Sequence, residues 1–250
     1  MKLLYDYGHK ISEIAAMPAH QIPQNILTAT STKLTFEHAV DSFKLAMLSF
    51  DQTKFEQTFQ GLKELMSFRD IFLEVFVPLL EQIGVLWLLD SITPANEHFI
   101  SSLIQQKVLT NVEQVGQQLN PSDAKVFVLY LPENEIHDLG LLFLHYELLS
   151  RGQRSIYLGQ CVPIESLVQL QAQFKDITYV SYFTVSPSPS NAQRYMQKVE
   201  DELLARAEDD LWILGRQTGH MVPDELPSRV SIYPGLSQLL ASEAWKPIEG

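Results

Sequence analysis

Cysteine is nearly absent from these 250 residues. Cys161 stands alone, which excludes an internal disulfide framework and fits a reducing cytosol. Positive charge is scarce as well: 18 Lys and Arg face 30 Asp and Glu, for a formal net charge of −12. A chain this acidic has no electrostatic footprint for a phosphate backbone, so contact with nucleic acid must come from residues not present here. No signal peptide is readable, because Asp6 and His9 arrive before any apolar run develops. The most apolar stretch, Val75 to Leu89, is interrupted by Pro78, Glu81 and Gln82 and reads as too short to span a bilayer. A P-loop, a Gly-rich dinucleotide fingerprint and a Ser-His-Asp order are all missing. What is present is a 46% hydrophobic content, enough for a sizeable core. The expectation is a cytoplasmic globular protein with no membrane partner.

The chain divides into three stretches. In residues 1–34, Lys2 to Met17 reads as one short helix, and Pro18, Pro23 and the Thr-Ser-Thr run read as a linker. Residues 35–119 carry a helical period. Phe36, Val40, Phe43, Met47 and Phe50 form one stripe with Thr35 as its N-cap, and Phe55, Phe59, Leu62 and Met66 form a second behind Asp51. Ser67 and Asp70 make an acidic capping box for a third helix that Pro78 should kink, and Thr93-Pro94 opens a fourth. Four helices on short connections predict a four-helix bundle. Residues 120–250 then alternate between strand and helix, beginning with the apolar run Ala124–Leu131. This predicts a flavodoxin-like or Rossmann-like, doubly wound parallel sheet of five strands.

Two constellations could carry chemistry. Glu135-Ile136-His137-Asp138-Leu139-Gly140 follows the first strand, where ligands of open parallel sheets bind. A neutral imidazole ligates metal well when its other nitrogen donates to a carboxylate, and Glu135 is placed to be that partner of His137. Gly140 allows close backbone approach. A solvated loop His and Glu is the plain alternative. The second constellation is Trp87, nine residues, then Glu97-His98, at the facing ends of consecutive antiparallel helices. An aromatic plate beside a Glu-His pair can cover a ligand, but a core Trp beside a dipole-favouring acidic first turn reads the same way.

Together, W-x9-E-H and E-x-H-x-x-G across a bundle-to-Rossmann boundary resemble the cobalamin-binding regions of MerR-type transcriptional regulators, including their adenosylcobalamin-dependent light-sensing repressors. The segment from Val77 to Trp87 is similar to the helix before the motif in that family. The resemblance implies that His137 is the lower axial cobalt ligand, oriented by Glu135, with Asp138 and Gly140 beside it. The benzimidazole it displaces would then carry the nucleotide tail into the α/β domain. It implies that Ser181 and Phe183, in place of an S-x-L motif, and Gly215, in place of a Gly-Gly pair, line the tail site. Trp87, Glu97 and His98 would cover the upper face. The implied cofactor is adenosylcobalamin, with methylcobalamin as the alternative, and the implied partner is a second copy of the chain. Gly8 to Ala15 resembles the closing segment of a winged helix-turn-helix, so DNA would be met only through a head largely outside this sequence.

Two residues depart from the family pattern. Leu214 puts a side chain where bare backbone is expected, and Leu88 stands where light-sensing members can carry a histidine that caps cobalt. Ser181 also fits a plain strand-end hydroxyl bonded to nearby backbone. His9, His20, His38, His145 and His220 show no metal spacing, and Cys161 reads as a small buried residue. Two further functions stay open: the corrinoid carrier module of a methyltransferase, and a cofactor-free relative that keeps the fold.

Overall fold

The computed structural model describes residues 22–116, 125–223 and 226–246, with side chains from residue 35 onward. It divides between Ile104 and Gln105 into two compact units. The short helix expected over Lys2–Met17 lies outside the described residues.

Four helices lead. Helix α1 runs Ile22–Ser49, α2 Gln52–Lys63, α3 Phe68–Leu88 and α4 Pro94–Gly116. Three of the expected caps form. Asp51 Oδ1 accepts from the Lys54 amide at 2.9 Å. Ser67 Oγ accepts from the Asp70 amide at 3.2 Å and donates to the Asp70 carboxylate. Thr93 and Asn96 cap each other reciprocally, Thr93 Oγ1 accepting from the Asn96 amide and Asn96 Oδ1 from the Thr93 amide. Thr35 is a correction: it lies inside α1, so part of the expected linker is helical. After Pro23 the sequence holds no proline or glycine until Gly61, and nothing breaks the helix.

The expected stripes bury Val40, Phe43, Met47, Phe55, Phe59 and Leu62. Phe50 instead ends its helix exposed, at φ 51. Rings of α1, α2 and α3 meet in one cluster, with Phe43 and Phe55 centroids 4.8 Å apart and Phe59 and Phe76 at 6.0 Å. Pro78 acts one turn earlier than a simple kink. Phe72–Phe76 widens into a π turn in which the Val77 amide donates to the Phe72 carbonyl, so the helix continues without a proline N–H. The helix Phe68–Leu88 is longer than the apolar run Val75 to Leu89 read from the sequence, and by length and composition alone its 21 residues would be enough to cross a membrane. Ile71, Phe72, Val75, Phe76, Leu79 and Ile83 are nevertheless buried within the protein.

The second unit holds strands β1 Val126–Tyr130, β2 Arg154–Gly159, β3 Ile177–Tyr182, β4 Asp210–Leu214 and β5 Val230–Tyr233. All pairs are parallel, in the order β2-β1-β3-β4-β5. Between them lie α5 Leu139–Ser150, α6 Ile164–Val168 and α7 Pro189–Lys198, with α8 Leu236–Leu240 after β5. The helix expected over Leu236–Trp245 is shorter than its apolar pattern suggests. This is the doubly wound five-stranded parallel sheet that the alternation predicts. Its strand order reverses between β1 and β3, and the loops leaving those two strands flank the crevice where such folds bind ligands.

Candidate functional site

The loop after β1 turns sharply. The Glu135 amide donates to the Pro132 carbonyl at 3.1 Å, and Asn134 takes φ 66, a conformation asparagine tolerates. This turn drives the Glu135 side chain inward until it is fully buried. Its Oε1 accepts from the amides of Ile136 at 3.0 Å and His137 at 3.1 Å, and lies 2.6 Å from His137 Nδ1. Its Oε2 accepts from three successive amides after β3: Thr184 at 3.0 Å, Val185 at 2.6 Å and Ser186 at 2.9 Å. One carboxylate therefore staples the two loops of the switch point together. Burial pushes the Glu135 pKa up, but the bonds from the His137 ring and from the Ser186, Val185 and His137 amides outweigh it. The pKa falls from an ordinary 4.5 to about 2.

A carboxylate that stays ionised accepts only, so the proton on His137 sits on Nδ1 and metal ligation falls to Nε2. The His137 side chain is 51% exposed, open enough for a ligand to reach it. Asp138 is nearly buried, and its Oδ2 accepts from Tyr157 Oη at 3.0 Å and Gln160 Nε2 at 2.9 Å. Gln105 Nε2 lies at 3.3 Å from the same oxygen. Strand β2, the residue after it and α4 thus supply partners that the linear motif did not disclose. Burial and Asp138 together raise the Tyr157 pKa, which keeps its hydroxyl a donor.

At Gly140 a Cβ would lie 2.8 Å from Tyr182 Cε2. At Gly215, with φ +106, a Cβ would lie 2.6 Å from the Phe183 carbonyl oxygen and 2.9 Å from Tyr182 Cδ1. Both glycines are needed because the end of β3 packs onto them. Ser181 is fully buried and its Oγ donates to the Tyr130 carbonyl at 2.9 Å. Phe183 and Leu214 are fully buried too. Cys161 departs from the buried residue expected of it, being exposed at φ 56.

In the other unit, Trp87 is 46% exposed at the end of α3 and is not a core residue. Glu97 and His98 lie in the first turn of α4, with His98 Nδ1 3.3 Å from Glu97 Oε2 and Ser101 Oγ donating to Glu97. Among the described residues no group of three His, Cys, Asp or Glu side chains could hold a bare ion.

Residues 39–110 match the family model described as B12 binding domain. Two curated relatives from Myxococcus xanthus are each 26% identical to the chain: the HTH-type transcriptional repressor CarH over 67% of it and the HTH-type transcriptional repressor CarA over 82%. The chain spans 56% and 65% of their respective lengths. The fold is that of the Methanosarcina barkeri monomethylamine corrinoid protein, at 15% identity and a TM-score of 0.66, covering 84% of this chain and 99% of that one. Helices then a five-stranded parallel sheet is thus an architecture seen in a corrinoid protein, and cobalamin is the ligand class that the family match supports.

Proposed function

We propose that this chain is the cobalamin-binding, sensory region of a MerR-type transcriptional regulator, with His137 Nε2 as the lower axial ligand of cobalt. One observation carries this reading: a half-exposed imidazole at the switch point has its tautomer and direction fixed by a fully buried, ionised carboxylate. The B12 binding domain match and the HTH-type repressors among the relatives support it. When bound, the cofactor supplies a cobalt–carbon bond that can be broken chemically or by light.

The protein's own residues bind, orient and transmit. Glu135 holds the His137 ring and the loop 184–186 at once, so a pull on the ring is felt in the neighbouring loop. Asp138, fixed by Tyr157 and Gln160, starts α5 directly after the ligand. Trp87, Glu97 and His98 are assigned to the cofactor's upper ligand, and Leu88 adds no histidine beside Trp87. Adenosylcobalamin is the proposed form, and its occupancy is read out as association between copies of the chain. DNA is contacted through other residues, since this sequence carries a formal charge of −12.

The test is absorption spectroscopy of the protein with adenosylcobalamin, followed by gel filtration in the dark and after green light. A base-off spectrum retained through the column, and lost in His137→Ala, is the expected result. Equal retention by both proteins refutes the axial ligand. Retention with no cofactor-dependent change in association refutes the sensor and favours a corrinoid carrier.

A further inference from the structure

We propose that Gln160, in the loop after β2, is a positioning residue for His137, fixing the stretch of backbone that carries the ring. Its role rests on the reading of His137 as the cobalt ligand, as proposed above. Glu135 is fully buried and grips the ligand loop from within, taking the ring at Nδ1 and the amides of Ile136 and His137. Gln160 is exposed and grips the same loop from the β2 side. Its Nε2 donates to the Ile136 carbonyl at 3.0 Å and to Asp138 Oδ2 at 2.9 Å, the residues on either side of the histidine. Both partners are acceptors, so the side-chain nitrogen is the atom that faces them. The peptide unit joining Ile136 to His137 is thereby held at both ends, its carbonyl by Gln160 and its N–H by Glu135. A planar unit anchored in this way can neither flip nor slide beneath the ring.

Two local features are arranged around this contact. Gly159 at φ 77 and Cys161 at φ 56 are both left-handed and stand on either side of Gln160. Leu131 closes the excursion between them, its amide donating to the Gly159 carbonyl at 2.9 Å and its carbonyl accepting from the Val162 amide at 2.9 Å. Gln160 is thus carried at the tip of a tight turn, and the Cys161 thiol donates to the Glu135 carbonyl at 3.7 Å. A residue with a Cβ takes this conformation only where its surroundings impose it. The second feature is Asp138, which stands at the N-cap of α5 but makes no capping bond to that helix. Aspartate is favoured at this position because its carboxylate accepts from the first helix amides. Here the carboxylate is turned instead to Gln160 and Tyr157, so the helix gives up its cap to fasten the ligand loop.

Without Gln160, Glu135 still sets the tautomer and the ligating atom, but the backbone under the ring gains freedom that ligation must remove again. The loss therefore falls on affinity and leaves the identity of the ligand unchanged.

The experiment titrates the full chain with adenosylcobalamin by absorption, comparing wild type with Gln160→Ala, Gln160→Glu and Gln160→Lys. Electron paramagnetic resonance of the cobalt(II) forms reports the histidine nitrogen. Gln160→Ala removes one neutral and one charge-assisted hydrogen bond and should weaken binding about tenfold. Gln160→Glu keeps the shape but cannot donate, and should weaken binding more than alanine does. Gln160→Lys, which donates, should recover most of the loss, and the histidine nitrogen should persist in all four proteins at saturation. In the cofactor-free proteins, hydrogen exchange at the His137 amide should quicken about tenfold in Gln160→Ala and Gln160→Glu, with the amides of Val126–Tyr130 unchanged. A packing role alone would leave Gln160→Glu equal to wild type. Binding by Gln160→Ala and Gln160→Glu within twofold of wild type, with His137→Ala defective, overturns the inference and leaves the proposed function standing. Failure of the wild type to bind, or equal retention by His137→Ala, overturns the proposed function and the inference with it.

Discussion

Replacing Glu135 with Gln isolates the staple between the two loops of the switch point. The carboxylate serves six donors with two oxygens: His137 Nδ1 and the amides of Ile136 and His137 on one, and the amides of Thr184, Val185 and Ser186 on the other. A glutamine can accept at only one of these clusters and presents an NH2 group to the other. The depression of the Glu135 pKa from 4.5 to about 2 corresponds to about 3 kcal/mol, at about 1.4 kcal/mol per pKa unit. The unfolded chain takes up the proton first. The contribution is therefore complete above about pH 4.5 and is lost as pH falls towards 2. Urea unfolding followed by tryptophan fluorescence in a Trp87→Phe background reports the α/β unit through the buried Trp212 and Trp245. Glu135→Gln should be less stable by about 3 kcal/mol at pH 7, with the gap to wild type closing between pH 4.5 and 2.5. A gap that is constant across that range, or below about 0.5 kcal/mol at neutrality, refutes the assignment of the carboxylate as an ionised staple.

Other outcomes follow from single contacts. Gly215→Ala should lose about 2 kcal/mol or more in the same assay, because its Cβ meets backbone at positive φ. Gly140→Ala, which meets a tyrosine ring able to give way, should lose roughly half as much. Burial lowers the His145 pKa from 6.5 to about 4, so this residue contributes stability that is lost as pH falls through that interval. His145→Gln should flatten the wild-type decline between pH 6.5 and 4, and an unchanged decline refutes it. Trp87→Ala should change stability by less than about 1 kcal/mol, since the ring is 46% exposed. The same variant should weaken adenosylcobalamin about tenfold more than methylcobalamin. Equal weakening of the two refutes the upper-face role.

Much of this architecture is legible in the sequence because it is written locally. Asp51, Ser67 with Asp70, and Thr93 cap the helices they precede, and the apolar run before Glu135 becomes a fully buried strand. The Glu135–His137 pair is legible for the same reason, being two residues apart on one turn. What escaped is long-range or carried by backbone. The amides of Thr184, Val185 and Ser186 bind Glu135 without any side chain to signal it. Tyr157 and Gln160 reach Asp138 only because β2 lies beside β1. The Thr-Ser run before Phe36 has a loop-like composition, but a helix already under way tolerates such residues at a few tenths of a kcal/mol each.

The π turn at Phe72–Phe76 acts as a phase offset in α3. A turn holding one residue more than an α turn sets every later side chain back by about 100° around the helix axis. Pro78 prevents the offset from relaxing, since its ring would clash with the Glu74 carbonyl in a regular α turn. The azimuth at which Trp87 leaves the helix is thus encoded eleven residues upstream, among the buried side chains of Phe72, Val75 and Phe76. A one-residue deletion within Phe72–Phe76 would leave the helix just as apolar and capped as before, yet turn Trp87 and Leu88 to a different side of it.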